Sequence, residues 1–270
     1  KIPMYICRNY KLPNWVDNTS LVICSSYSGN TEESLSAFQD AQNKKAQIIA
    51  ISTGGKLSKQ INELGLDLII IPSGLQPRAA LALSFVPMLY LFKSLKLIKT
   101  KNINDLIKAI DKIKLKRELY NKETNKNPAY LLSKKIYQTL PVIYGENESM
   151  GILAIRWKGQ LSENAKMLAY HNELPEMNHN EIVGWENNSE LINKISIIWL
   201  KDKSDHPRTN MRQTSTKNII NNLAARHEIV SVEGSTKVER YLNIVHFGDW
   251  VSFWCAILHK TDPTPVKKID

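Results

Sequence analysis

Short runs of apolar residues, each closed by turn residues and followed by a helical pattern, constrain this chain more than any other feature. Leu21-Val22-Ile23-Cys24 is the first, and a polar turn and a helix over about 31–44 follow it. Residues 47–52 and 68–71 repeat the strand signal, and helical patterns span 79–97 and 103–120. Runs that are apolar at every position fit parallel strands covered on both faces. Their alternation with helices predicts βαβ units and an α/β fold with mainly parallel sheets.

The stretch 121–128 is polar, breaks periodicity and ends in Pro128. It marks the junction between expected domains 1–124 and 125–270. Beyond it the alternation restarts. Residues 141–144, 195–200 and 229–232 read as strands, 150–170 as a helix with a break at Gly159, and 241–259 as a helix stopped by Pro263 and Pro265. The two halves read as one architecture used twice. Residues 4–8 read as a further strand at the start of the chain.

Composition narrows the function classes. The net charge of +10 would suit anionic partners, but the lysines are scattered among acids. No basic stripe interleaved with aromatics points to nucleic acid. No window of about 18 apolar residues predicts a membrane span, and no leader pattern is visible. Cys7, Cys24 and Cys255 are odd in number and form no CxxC pair, which reads as reduced thiols in a cytoplasm. The six histidines show no metal-ligand spacing, and no glycine-rich nucleotide loop is present, so neither metal nor cofactor is expected.

The most informative segment is Ser25-Ser26-Tyr27-Ser28-Gly29-Asn30-Thr31-Glu32-Glu33, lying between a predicted strand and helix. Open parallel sheets present their ligand crevice there. A helix N-terminus offers unpaired N–H groups and partial positive charge. Ser26, Ser28 and Thr31 add hydroxyl donors, and Gly29 allows close backbone approach. The segment contains no Lys or Arg, so it would hold a phosphate with neutral donors. The plainer alternative is a helix cap, with Asn30 as N-cap and Glu33 three residues on.

The string S-x-S-G-N-T-E-E resembles the motif of sugar-isomerase (SIS) domains. Gln76-Pro77-Arg78-Ala79-Ala80, Arg156-Trp157-Lys158-Gly159-Gln160-Leu161-Ser162-Glu163-Asn164-Ala165-Lys166, Asn178-His179-Asn180-Glu181-Ile182-Val183-Gly184-Trp185 and Asp262-Pro263-Thr264-Pro265-Val266 follow in order. Together they resemble the bifunctional phosphoglucose/phosphomannose isomerases over nearly the whole chain. The resemblance implies two SIS-type α/β sandwich domains and aldose–ketose isomerisation of glucose 6-phosphate or mannose 6-phosphate with fructose 6-phosphate through a cis-enediol.

It also implies roles. Glu163 matches the base that moves a proton between C1 and C2, a task that suits a carboxylate. His179 matches the ring-opening residue, since imidazole can give up a proton near neutral pH. Arg78 matches the cation that stabilises the enediolate. Thr264 matches the residue that makes room for C2–C3 rotation, although between two prolines it is also a good N-cap. By the same analogy the enzyme is a homodimer, with His179 donated across the interface.

Two departures stand out. The family's N-terminal strand and glycine-rich turn precede the part that Lys1 opens, and its C-terminal lysine has no clear counterpart in Lys267 or Lys268. The chain is therefore expected to be part of a longer active enzyme, its first domain lacking that strand and turn. A non-catalytic sugar-phosphate sensor and a truncated, inactive homologue are the alternatives.

Overall fold

The computed structural model describes residues 2–269, so Lys1 and Asp270, the outer limits of the expected domains, lie outside the described residues. Compact packing divides the chain between Ile103 and Asn104.

In the first unit, β1 (Leu21–Ser25), β2 (Gln47–Ser52) and β3 (Asp67–Ile70) form a parallel sheet in that order. Helices α1 (Glu32–Asn43) and α2 (Gly55–Glu63) are its crossovers. Both connections step the same way across the sheet, and right-handed crossovers then put both helices on one face. Their buried residues Phe38, Ala41, Leu57 and Ile61 accordingly share one cluster with Cys24, Ile48 and Ala50. A loop after β3 passes through a single 3-10 turn, Pro77–Ala79, into α3 (Leu81–Ser94), which contacts β2.

Residues 4–8 form no strand. Met4, Tyr5 and Ile6 are exposed, with Tyr5 meeting Trp15 edge-on at 5.9 Å. Apolar β-formers make a strand only where a ladder partner takes up their backbone groups, and among the described residues this segment pairs with none of β1, β2 and β3.

Helix α4 (Thr100–Tyr120) spans the division. The polar stretch 121–128 is the turn into α5 (Pro128–Ile136), where Asn127 caps the helix by accepting from Ala129 N and Tyr130 N. The second unit continues with β4 (Leu140–Glu146), α6 (Met150–Ala165), β5 (Tyr170–Leu174), α7 (Ser189–Ile192), β6 (Ile195–Leu200), α8 (Pro207–Ile219), β7 (Arg226–Val230) and α9 (Lys237–Leu258). All four strands are parallel, in the order β5-β4-β6-β7.

Both faces of this sheet are covered. Ile143, Ile198 and Leu200 join Trp157, Leu161, Val251 and Trp254 on the side of α5, α6 and α9. Val142, Tyr144, Ile197 and Trp199 join Met177, Trp185 and Ile220 on the other. Each fully buried isoleucine contributes roughly 1.5–3 kcal/mol. Helix α6 runs without a break at Gly159 and stops at Ala165, and Tyr170 opens β5 instead of ending the helix. Lys166 at φ 52° turns the chain into the left-handed region and closes the helix.

Candidate active site

The loops at the carboxyl end of the first sheet are tied together by backbone. Ser26 N donates to Ile51 O at 3.1 Å, Thr53 N to Tyr27 O at 3.0 Å and Leu57 N to Gly29 O at 2.9 Å. Asn30 is not the cap of α1; its Oδ1 accepts from Lys56 N at 3.0 Å, and Thr31 holds the N-cap position. Thr31 Oγ1 lies 3.1 Å from the buried Ser26 Oγ and caps no helix N–H. The first-turn N–H groups of α1 are thus not occupied by that side chain, which suits an anion. Ser28 Oγ accepts from Asn30 N at 3.2 Å, holding the loop tightly curved.

Arg78 lies half-buried in the 3-10 turn that follows β3, and the same loop reaches back when Leu75 N donates to Tyr27 Oη at 3.1 Å. The loop of Ser26, Ser28 and Thr31 and the loop of Arg78 therefore leave the same end of one sheet.

In the second unit Glu163 sits two residues from the end of α6 and is half-buried. Helix α9 holds its helix in place. Arg156 Nη2 and Gln160 Nε2 donate to the two oxygens of Asp249 at 2.8 and 2.7 Å. Asn164 Nδ2 donates to Ser252 Oγ at 2.9 Å, and Trp157 Nε1 to Ile244 O at 3.0 Å. Trp157 fits because Gly248 faces it; a Cβ there would fall 2.2 Å from the indole nitrogen. Lys166 Nζ donates to Glu163 O at 2.8 Å and to Pro263 O at 3.1 Å, which brings the end of α6 to the turn bearing the exposed Thr264.

His179 is placed elsewhere. It lies in the 3-10 turn Glu176–His179 past the carboxyl end of β5 and is exposed. Its neighbours are fixed: Asn178 Nδ2 donates to Thr216 Oγ1 at 2.6 Å, and Glu181 accepts from the Tyr144 hydroxyl and from Asn172 Nδ2. Burial and the Glu181 charge push the Tyr144 hydroxyl pKa well up, so it stays a donor. Asn147 N donates to Leu174 O at 3.0 Å, pinning the end of β5 beside the start of α6. Glu163 is at the other end of that 16-residue helix, and at 1.5 Å per residue the two ends are about 20 Å apart. Within the chain, Glu163 and Thr264 share one end of the second sheet and His179 the opposite end.

A cluster absent from the sequence expectations lies where the β4 and β6 crossovers part to opposite faces. Ser149 Oγ is 3.2 Å from Glu146 Oε2 and 3.3 Å from Asp205 Oδ1. His206 N donates to Glu146 Oε1 at 2.9 Å, Asp202 N to Asp205 Oδ2 at 2.7 Å, and Arg240 pairs bidentately with Asp202. Burial, followed by the nearby Glu146 and Asp202 charges, raises Asp205 to about 6. Partners 56 residues apart leave no local signal that could have shown this.

Comparison with known proteins adds relatives to this geometry. The model of the bacterial phospho-glucose isomerase C-terminal SIS domain matches residues 125–270. A bifunctional phosphoglucose/phosphomannose isomerase of Caldicellulosiruptor bescii is 46% identical, the match covering 100% of this chain and 80% of that protein. One of Aquifex aeolicus is 37% identical over 99% of this chain and 79% of its own. Among solved structures, a glucose-6-phosphate isomerase like protein from Thermus thermophilus shares the fold at a TM-score of 0.59 and 14% identity, over 94% of this chain and 86% of that one.

Proposed function

This chain belongs to the bifunctional phosphoglucose/phosphomannose isomerase family, and on that premise we propose how its residues divide the reaction. It is an aldose–ketose isomerase that interconverts glucose 6-phosphate and mannose 6-phosphate with fructose 6-phosphate. Ser26, Ser28 and Thr31, with the N–H groups opening α1, hold the phosphate. Glu163 takes the proton from C2 and returns it to C1 through a cis-enediol, and Arg78 stabilises the oxyanion that develops between. His179 donates to the ring oxygen as the sugar opens. Thr264 leaves room for rotation about C2–C3, which lets both aldoses share one enediol.

The observation that carries this reading is that a cation-free hydroxyl loop after β1 and the loop bearing Arg78 after β3 leave the same end of one parallel sheet and are tied by Leu75 N donating to Tyr27 Oη, so that phosphate and developing charge have different partners to hand. The placement of Glu163 and His179 at opposite ends of one sheet supports a homodimer in which the partner copy supplies the histidine. The family match beginning at residue 125 supports a domain boundary between 124 and 125. Three free cysteines, two of them buried with thiol pKa values pushed up by burial, fit a reducing cytoplasm. Among the described residues no helix is long and apolar enough to cross a membrane.

A coupled assay without added metal tests the assignment. Wild type should convert both aldose phosphates, and Glu163→Gln should be slower by roughly 100-fold or more. Equal rates for the two proteins would remove Glu163 from the mechanism. A wild type that binds fructose 6-phosphate without turnover would favour a sensor.

A further inference from the structure

Lys166 is the last residue of the Arg156–Lys166 sequence motif, and the reaction as described gives it no task. Its backbone is left-handed, at φ 52° and ψ 31°. Glycine usually takes that position after a helix, and a side chain there is strained by its own Cβ. The conformation folds the lysine back over the end of its own helix. Nζ then donates to Glu163 O at 2.8 Å, to Pro263 O at 3.1 Å and more weakly to Asn164 O at 3.4 Å.

Two of these acceptors are helix-terminal carbonyls that no later turn of α6 can satisfy. An ammonium has three donors to offer such carbonyls and sits favourably at the negative end of the helix. The third acceptor belongs to a different segment, reached after α9 has ended. That segment is turned locally by Thr264 N, which donates to Asp262 Oδ1 at 2.8 Å. Lys166 is thus a strut between the backbone of Glu163 and the residue before Thr264. The Asp249 and Ser252 contacts fix α6 further back along the helix; Lys166 acts where the helix gives out.

We propose that Lys166 is a positioning residue that fixes Glu163 against the Thr264 turn, so that base position and the choice between glucose and mannose phosphates are set together. This rests on Glu163 and Thr264 having the roles assigned above. A base displaced by about 1 Å can lose as much as 100-fold in rate. A shift of the Thr264 turn changes the space for C2–C3 rotation, a step on which the two aldoses depend unequally.

The test uses the full chain as wild type, Lys166→Met, Lys166→Arg and Glu163→Gln, with steady-state kinetics on both aldose phosphates and a thermal melt. Lys166→Met should lose roughly 10-fold to 100-fold in kcat with KM changed far less. Its mannose-to-glucose ratio of kcat/KM should move by at least about threefold, and Lys166→Arg should recover part of both changes. Wild-type kcat in Lys166→Met overturns the inference. So does an unchanged ratio, or an equal loss on both sugars that follows a lowered melting temperature and is not recovered by arginine. Should Lys166→Met fail to fold, Lys166→Gln, whose shorter amide cannot reach all three carbonyls, is read by the same criteria. An inactive wild type, or Glu163→Gln at the wild-type rate, sinks the underlying reading instead. An inactive Glu163→Gln beside an unaffected Lys166→Met rejects this inference alone.

Discussion

A methyl group on Gly29 would fall 1.9 Å from the carbonyl oxygen of Gly54, so the turn after β1 and the turn after β2 are built around each other. Gly29 also has φ +67°, which a side chain adopts only at a cost. The two turns carry Ser26, Ser28, Asn30 and the opening of α2, and they form the floor of the expected phosphate site.

Gly29→Ala should therefore push the two turns apart and loosen the phosphate grip. Each hydrogen bond to a charged group is worth about 1.5–3 kcal/mol, so losing one raises KM for hexose 6-phosphates roughly 10-fold or more. Steady-state kinetics check this. The kcat of bound substrate should fall less than KM rises, because the reacting carbons are remote from the phosphate.

Asp249 gathers Arg156 and Gln160 with its two oxygens. Asp249→Asn turns one acceptor into a donor facing another donor. The loss should be about 1.5–3 kcal/mol, or roughly 3–12 °C in melting temperature for a chain of this size. A calorimetric or dichroism melt measures it, and kcat should drop with it because the helix bearing Glu163 loosens.

The carboxyl pair Glu146 and Asp205 predicts a pH dependence of stability. Asp205 is raised from 3.8 to about 6, chiefly by burial, with Glu146 and Asp202 adding to it and Arg240 engaged by Asp202. The folded state therefore binds this proton more tightly than the unfolded one. Its stabilising contribution is complete below about pH 4 and lost as pH rises through about 6. Glu146 is shifted the other way: burial opposes ionisation, but hydrogen bonds led by His206 N outweigh it. Its window thus lies below the ordinary glutamate range. Melts at pH 5 and pH 7.5 should show the stability difference between Asp205→Asn and wild type moving in the variant's favour over this interval. At pH 7.5 the variant should be the more stable of the two.

Much of the fold is legible in the sequence because buried parallel strands leave continuous apolar runs. The segments 47–52 and 195–200 coincide with β2 and β6. Polar faces hide the rest. Helix α8, Pro-Arg-Thr-Asn-Met-Arg-Gln-Thr-Ser-Thr-Lys-Asn-Ile, buries only Gln213 and Thr216 and shows no apolar period. Strand β5, Tyr-His-Asn-Glu-Leu, buries only Leu174, so its start reads as a continuation of the preceding helix. Residues 4–8 have the composition of a strand, yet a strand also needs a neighbour. At the site, local motifs point to Ser26, Ser28, Thr31 and Arg78. Nothing local points to Asp249, Ser252 or the Asp205 cluster, because their partners lie 56 to 93 residues away.

If His179 reaches the Glu163 of a partner copy, two inactive variants should rescue each other. In a mixture of Glu163→Gln and His179→Ala, random pairing makes half the dimers mixed, and each mixed dimer has one intact site. Activity should return to about a quarter of wild type after subunit exchange. No recovery, with mixed dimers shown to form, would place both residues in one protomer's site.

Release of isotope from C2 tests the central assignment most directly. With 2-deuterated glucose 6-phosphate, wild type should pass part of the label to C1 and lose the remainder to water, because a carboxylate holding the proton can exchange it. Glu163→Gln should abolish both transfers. Transfer or exchange of the label by Glu163→Gln at the wild-type rate would contradict a proton shuttle through Glu163.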